Sequence, residues 1–341
     1  MKKKVKIKDI ALYSKGTQIN GDELLEEAKF DYLNGGIKPS GKWDNANCVA
    51  NTVTISEGGN SCGYVNFMKN PFWCGAHCYF LYDTKIDSKY LYYALKSQQV
   101  RIMKLRSGAC MPNIKKTDLG NFEFVCDDNS IEQKKITHIL DKLECVIEQR
   151  KNEIQVFDEL VKARFVEMFG KRKYTKLKWN DVFYTKTGKL DSNAATSNGQ
   201  YPFFTCSKDI LRIDNYAFDQ EALLLSGNNA SGKYDVKYYN GKFNAYQRTY
   251  VLGLKEQWSY NLMKYQLEEK LMYLKRHSLG GLTKYLTLKI LSELSFIIPP
   301  MEKQVEFDSF VRQADKSKAV IEKSLKELET LQASLMQKYF S

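Results

Sequence analysis

The 341-residue chain repeats itself, and this leaves few architectures open to it. Lys6-Ile7-Lys8 recurs as Lys176-Leu177-Lys178, and Gly59-Asn60-Ser61-Cys62-Gly63 recurs as Asn228-Asn229-Ala230-Ser231-Gly232, displaced by 169. Ser107-Gly108 ahead of Leu119 and Phe124 matches Ser278 and Gly280 ahead of Leu291 and Phe296, displaced by 172. Ile154, Phe157, Leu160, Phe165 and Phe169 match Leu325, Leu328, Leu331, Met336 and Phe340, displaced by 171. A nearly constant displacement means two copies of one structural unit, and the chain is long enough to give each copy a core of its own.

Each copy closes with heptad spacing, which predicts two long helices that pair as a coiled coil. The first seam is Leu140, Leu143, Ile147, Ile154, Phe157, Val161 and Met168; the second is Val311, Ala314, Ile321, Leu325, Leu328, Leu335 and Tyr339. Arg150, Arg164, Lys318 and Gln332 interrupt the seams as isolated polar positions that can set register. Ser130-Ile131-Glu132-Gln133 predicts a capping-box start for the first helix, Gly170 its end, and Pro299-Pro300 the entry to the second. The order expected is a globular unit over residues 1–130, a helix over 131–170, a second unit over 171–298 and a second helix over 299–341. Thr52–Ser56 and Ala222–Ser226 predict strands running into the Gly/Asn loops, and Tyr90–Leu105 and Tyr260–Leu274 predict helices, so each unit is α+β.

Charge narrows the partners. The 52 Lys and Arg against 40 Asp and Glu give +12, of which residues 1–170 carry +3 and the remainder +9; a polyanionic partner is the natural reading, and net charge alone also fits a solvated basic surface or an acidic protein partner. Cys48, Cys62, Cys74, Cys78, Cys110, Cys126, Cys145 and Cys206 are scattered without a disulfide framework. Met1-Lys2-Lys3-Lys4-Val5-Lys6 leads into no apolar segment and no run approaches a membrane span, so a cytoplasmic protein with reduced thiols is expected.

Enzymatic motifs are present only in part. Gly227-Asn228-Asn229-Ala230-Ser231-Gly232-Lys233 fits the first seven positions of a phosphate-binding loop, but Tyr234 stands where a hydroxyl for Mg²⁺ is needed. Residues 234–243 alternate like a hairpin turning at Asn240-Gly241 instead of opening a helix. Asn70-Pro71-Phe72-Trp73 faintly echoes the loop with which amino-methyltransferases hold an extruded base, but its second proline is missing and no G-x-G-x-x-G fingerprint supplies a cofactor site. Cys62, Cys74, His77 and Cys78 do not have a standard zinc spacing, and buried strand cysteines are the simpler expectation. Only His77, His138 and His277 are available for acid-base work, so no catalytic residue and no metal ligand is assigned.

Loops rich in Gly, Asn, Ser and Lys, interleaved with aromatics and Arg, can approach a DNA groove and offer both base-edge and phosphate contacts. In the first copy the candidates are Lys38, Ser40, Lys42, Trp43, Asn60, Ser61, Tyr64, Asn66 and His77. In the second they are Thr205, Ser207, Lys208, Asn228, Asn229, Ser231, Lys233, Tyr238, Tyr246 and Arg248.

Together with this plan, Tyr32-Leu33-Asn34-Gly35-Gly36-Ile37-Lys38-Pro39-Ser40-Gly41, Gly58–Tyr64, Phe72–Leu81 and Tyr201-Pro202-Phe203-Phe204-Thr205 are similar to the specificity subunits of Type I restriction-modification enzymes. Glu132-Gln133-Lys134-Lys135-Ile136 resembles that family's entry to its helices, with Glu302-Lys303-Gln304 a looser echo. The resemblance implies two target recognition domains, each reading half of a split sequence in double-stranded DNA, with the helices as an antiparallel spacer. It further implies two modification subunits that hold S-adenosylmethionine and methylate adenine, in an assembly that a motor and nuclease subunit can join; this chain itself would carry no cofactor and catalyse nothing. From Ile136 to Phe169 the first helix would measure on the order of 50 Å, which suits half-sites about one DNA turn apart. A self-contained adenine methyltransferase and a coiled-coil scaffold gripping DNA or protein are the alternatives.

Overall fold

The computed structural model describes residues 2–108, 112–170, 173–230 and 232–341. The chain forms two compact units: residues 1–153 together with 321–341, and residues 154–320. Chain order and compact unit therefore part company at both long helices, since each helix contributes to both cores.

The first unit opens with β1 (Lys2–Lys6) and a single turn, α1 (Ile7–Ile10). Seven strands follow: β2 (Leu12–Lys15), β3 (Phe30–Leu33), β4 (Gly41–Trp43), β5 (Thr52–Ser56), β6 (Val65–Met68), β7 (Phe72–Cys74) and β8 (Cys78–Tyr82). The helices α2 (Ser88–Ser97), α3 (Gln99–Met103) and α4 (Lys116–Gly120), strand β9 (Glu123–Asp127) and the long α5 (Ser130–Phe169) complete the copy. Its strands form a four-stranded sheet in the order β2-β8-β5-β6, a three-stranded sheet β4-β3-β7 and the pair β1-β9.

The second copy repeats the plan with β10 (Thr175–Lys178), α6 (Trp179–Val182), β11 (Phe183–Thr187), β12 (Tyr201–Phe204), β13 (Leu211–Ile213), β14 (Phe218–Ser226) and β15 (Asn228–Asn229). After β16 (Val236–Ala245) and β17 (Thr249–Leu254) come α7 (Tyr260–Glu268), α8 (Leu271–His277), β18 (Lys284–Tyr285), α9 (Leu288–Ser292), β19 (Ser295–Ile298) and α10 (Met301–Phe340). Here one six-stranded sheet, β11-β17-β14-β16-β12-β13, takes the place of two. The reason is local. β16 runs unbroken, pairing antiparallel with β14 from Phe218↔Phe243 to Leu225↔Val236 and parallel with β12 at its end. At the corresponding place in the first copy Lys69-Asn70-Pro71 separates β6 from β7, because proline has no N–H to give a ladder.

Three expectations are corrected. Asn240-Gly241 is no hairpin turn: both residues lie inside β16, opposite Glu221 and Gln220 of β14, because the strand runs on to pair with β12 in the same sheet. The helices expected over Tyr90–Leu105 and Tyr260–Leu274 are each broken in two, at Gln98 and at Glu269-Lys270. The first long helix is capped one residue earlier than the capping box placed it, by Asn129, whose Oδ1 accepts from Ile131 N at 2.9 Å.

The first core packs Val53, Ile55, Val65, Leu81, Tyr90, Leu91 and Phe124 against Ile136 and Leu140 of α5 and Phe340 of α10. The second packs Trp179, Phe183, Leu223, Leu225, Leu252, Leu262 and Phe296 against Phe169 of α5 and Phe307 of α10. The seam residues of both helices are buried or half-buried throughout, as 3-4 spacing requires. Within the second unit Arg164 bonds Glu306 at 2.6 Å and Asp158 bonds Lys318, so the partner number rises as the other falls and the helices run antiparallel. Within the first, Lys151 meets Glu329 at 2.9 Å.

A buried glutamine fixes where each long helix leaves its strand. Gln133 donates to Asp127 O at 2.7 Å and accepts from Asp87 N at 3.4 Å. Gln304, 171 residues on, donates to Pro299 O at 2.8 Å and accepts from Ser259 N at 3.0 Å. Asp87 and Ser259 are in turn the N-caps of α2 and α7. A satisfied amide in an apolar setting thus ties the strand end, the short helix and the long helix together. No helix among the described residues is long and apolar enough to cross a membrane.

Candidate nucleic-acid interface

In the first unit β3 and β7 run parallel, Leu33 opposite Cys74, and β5 ends at Ser56, so the segments that follow all emerge at one end. Ser61 Oγ donates to Gly35 O at 2.6 Å and Asn66 Nδ2 donates to Gly36 O at 3.2 Å, tying the 34–40 segment to the Gly58–Gly63 loop. Gly35 needs its freedom: its φ is +81° and a Cβ there would meet His77 O at 2.3 Å. A third segment joins through bridges pairing Gly58 with Asn113 and Ser107 with Asn113.

One buried carboxylate organises this end. Glu57, 8% exposed, accepts from Lys15 Nζ at 2.8 Å with one oxygen, and His77 Nδ1 lies 3.3 Å from the other. The Lys15 ammonium also sits over the Tyr79 ring, whose phenol is pushed up to about 12, chiefly by burial and secondly by the Glu57 charge.

The second unit brings its loops together in the same way. Gly227 N donates to Arg248 O at 2.8 Å, Leu286 N to Gly227 O at 2.8 Å, and Tyr246 N to Phe204 O at 2.9 Å. Asn228 and Asn229 pair with Tyr285 and Lys284, and Leu279 bridges to Tyr285. The hydrogen bonds fix the equivalence between copies: Glu57 N bonds His77 O where Gly227 N bonds Arg248 O. Lys15 lies opposite Tyr79 where Thr187 lies opposite Tyr250. The ion-paired set Lys15, Glu57 and His77 is thus replaced by Thr187, Gly227 and Arg248.

The candidate residues fall into groups. Lys38, Ser40, Asn60 and His77 are exposed at the gathered end of the first unit, whereas Ser61 and Asn66 spend their hydrogen bonds inward on the loop backbone. Tyr64 is half-buried under Lys96, whose Nζ lies 3.7 Å from the ring centre. Lys42 and Trp43 sit apart on β4, with Trp43 packed edge-on against Trp73. In the second unit Ser207, Lys208, Asn228, Asn229, Lys233, Tyr246 and Arg248 lie on the gathered loops, and Ser231 lies outside the described residues.

Two candidates are turned away from that surface. Thr205 is 6% exposed and its Oγ1 accepts from Ser207 N at 3.2 Å, holding the loop instead of facing outward. Tyr238 is on the other side of β16 from Lys237: Lys237 Nζ reaches Ser207 O at 2.8 Å, while Tyr238 donates to Glu221 at 2.6 Å beside Tyr260. Strand alternation decides this, and counting from Asp235 along β16 would have shown it.

Sequence reasoning passed over Lys15 and Glu57, and also Lys275 and Lys284, whose side chains flank Gly232. The only signal for the last two was the basic run Lys275-Arg276-His277 and a lysine after the repeated Ser/Gly landmark.

Cys62, Cys74, His77 and Cys78, which have no standard zinc spacing, do not come together as one group. Cys74 and Cys78 share a small core with Cys48, while Cys62 belongs to the main core and donates to Glu57 O at 3.1 Å. Contact with the Cys48 and Cys78 thiols and burial push the Cys74 thiol far up. Among the described residues no group of three His, Cys, Asp or Glu is placed to hold a metal ion. The phosphate-loop sequence is followed by strand β16 instead of a helix, and Lys233 N is bonded to Asn229 Oδ1 at 3.4 Å.

Comparisons with known proteins agree with this architecture. The chain is 35% identical over 149 residues to the EcoDI specificity subunit of a Type I restriction enzyme from Escherichia coli, covering 42% of this chain and 32% of that protein. It is 31% identical over 225 residues to a Mycoplasma genitalium protein assigned as a type I specificity subunit, covering 61% and 57%. The chain thus spans between a third and rather more than half of the curated relatives it matches. The fold matches the crystal structure of a Type I restriction-modification S subunit from M. genitalium with a TM-score of 0.69 at 24% identity, over 100% of this chain and 96% of that one. A sequence profile described as the Type I restriction modification DNA specificity domain matches residues 2–156 and again residues 171–330. With both copies of the repeat accounted for by that profile, the chain belongs to the family of Type I restriction-modification DNA specificity domains and carries the domain twice.

Proposed function

We propose that this chain reads a bipartite site in duplex DNA, one half with each unit, and directs adenine methylation by partner subunits without catalysing it. The observation that carries this reading is the convergence, in each unit, of Gly-, Asn- and Ser-rich loops at one end, held by backbone bridges and edged by exposed cations, Lys38 in the first unit and Lys208, Lys233 and Arg248 in the second. Rigid loops with exposed amides and cations suit a helical polyanion whose base edges lie in grooves. Two methyltransferase subunits would supply S-adenosylmethionine and the transfer chemistry, and a nuclease subunit would add restriction. The long paired helices serve as the spacer between the two readings.

Exchanging residues 171–298 for the matching segment of another family member, and mapping methylated adenines in cells that carry the partner subunit, should change one half of the recognised sequence and leave the other intact. Alteration of both halves would sink the assignment of one reader to each unit. The purified chain alone is expected neither to bind S-adenosylmethionine in calorimetry nor to methylate duplex DNA; activity without a partner would return the self-contained methyltransferase to first place.

A further inference from the structure

The tip of the Ser278–Tyr285 loop presents Leu282 at 94% exposure, the highest of any large apolar side chain among the described residues. The loop that carries it is narrow and shaped. Leu279 and Tyr285 exchange two backbone hydrogen bonds, of 3.0 and 2.9 Å, across its neck. Gly280 has φ +96°, and a Cβ there would lie 2.2 Å from Thr283 O, so only glycine fits the turn. Gly281 has nothing within 4 Å of where a Cβ would be. Two glycines without side chains therefore leave Leu282 projecting beyond its half-exposed neighbours Leu279 and Tyr285.

Its surroundings are cationic. Gly232 lies against two lysine stems, with Lys275 Cγ at 3.3 Å and Lys284 Cγ at 3.5 Å from its notional Cβ, and Lys233 follows it in the chain. The ion pairs of this unit lie elsewhere, on the long helices, at Lys237–Asp235 and at Lys264–Glu268. Lys233, Lys275 and Lys284 have no carboxylate partner among the described residues. Beside the loop Tyr234, 6% exposed, belongs to the core, and its burial pushes the phenol up.

Leu282 at the tip, with Leu279 and Tyr285 partly exposed at the neck, makes a small apolar surface among lysines, and a protein partner would have to neutralise the three charges to cover it. Stacked bases between two phosphate backbones meet both requirements at once: the lysines face phosphates and the leucine enters between base pairs. Resting on the reading of this chain as a DNA reader, we propose that Leu282 is a wedge that unstacks one base step at or beside the half-site read by the second unit. The lysine trio holds the flanking backbone, and the step entered adds specificity through the ease with which it opens.

The test uses the full chain and a duplex carrying its methylation-mapped site, with 2-aminopurine replacing in turn each adenine in and beside the second half-site. Binding of the wild type should raise the emission at one position, as expected for an unstacked base. Leu282→Ala should abolish that rise and weaken binding about tenfold, near the lower end for loss of a base contact, with the salt slope unchanged. Leu282→Phe should keep the rise. Lys275→Ala or Lys284→Ala should reduce the salt slope by about one each and leave the emission rise in place. Emission that stays flat at every position on a site the wild type does bind overturns the wedge alone, as does a rise that survives Leu282→Ala. If Leu282→Ala instead costs recruitment of the methyltransferase with emission unaltered, the tip is a protein contact and the wedge is overturned. Absence of any sequence preference in wild-type binding overturns the DNA-reading assignment itself, and the wedge with it.

Discussion

The two units share a frame and differ in how they set charge on it. In the first, Glu57 lies buried at the point where the loops meet and occupies both Lys15 and His77. In the second, the equivalent residue is Gly227, Arg248 replaces His77, and Arg248 is exposed. The sheets differ in the same spirit: Pro71 divides the first into two, whereas Gly241 lets β16 run through and join six strands. A duplicated backbone scaffold can thus keep its hydrogen-bonding plan while side chains at a handful of loop positions change charge. Under the proposed function, two readers of different half-sequences would use such a plan, because base recognition depends on side chains at loop tips and not on the frame.

The largest expected contrast lies in the cores beneath the loops. Phe307, fully buried, packs against Phe165, Phe169 and Tyr265, while Ile136, 171 residues earlier, is 7% exposed and aliphatic. Phe307→Ala should cost about 3–5 kcal/mol in urea unfolding followed by tryptophan emission, and Ile136→Ala about 2 kcal/mol, the lower end for an aliphatic truncation. Equal losses would show that the two cores are interchangeable after all.

A smaller effect is expected from backbone crowding at the matched loop position. A Cβ at Gly227 would stand 2.3 Å from Arg248 O, whereas Glu57 already carries a side chain at the equivalent point. Gly227→Ala should therefore destabilise by about 1–3 kcal/mol, as overpacking does, and Glu57→Ala should owe its cost to lost hydrogen bonds. A neutral Gly227→Ala in calorimetry would mean that the loop relaxes freely, and the acid of the first unit could then be transplanted.

The smallest effect is electrostatic. Glu57→Gln leaves Lys15 and His77 in place without their anion, so the first unit comes to resemble the second. The slope of log binding constant against log salt for duplex DNA should steepen by about one, because a freed ammonium can displace a further counterion. A slope identical to that of the wild type would remove the Lys15 end of the first unit from the interface.

What the sequence determined by itself was whatever has a short period or a fixed displacement. The duplication, the heptad seams from Leu140 to Met168 and from Val311 to Tyr339, and the strands at Thr52–Ser56 and Ala222–Ser226 follow from side-chain spacing along one element. Tertiary structure alone decided the rest. The helices cross between units, so Phe340, the last helical residue, completes the first core; only packing against Tyr90, 250 positions away in the chain, reveals this. Asn240-Gly241 has the composition of a turn, and pairing with Glu221 and Gln220 makes it strand, because ladder hydrogen bonds outweigh a local turn preference. Glu57, Lys15, Lys275 and Lys284 are unremarkable in the chain; they gain meaning from segments tens of residues apart that bridge at Asn113 and Tyr285. Such meetings carry no period to read, since they are set by which strand ends the sheets bring side by side.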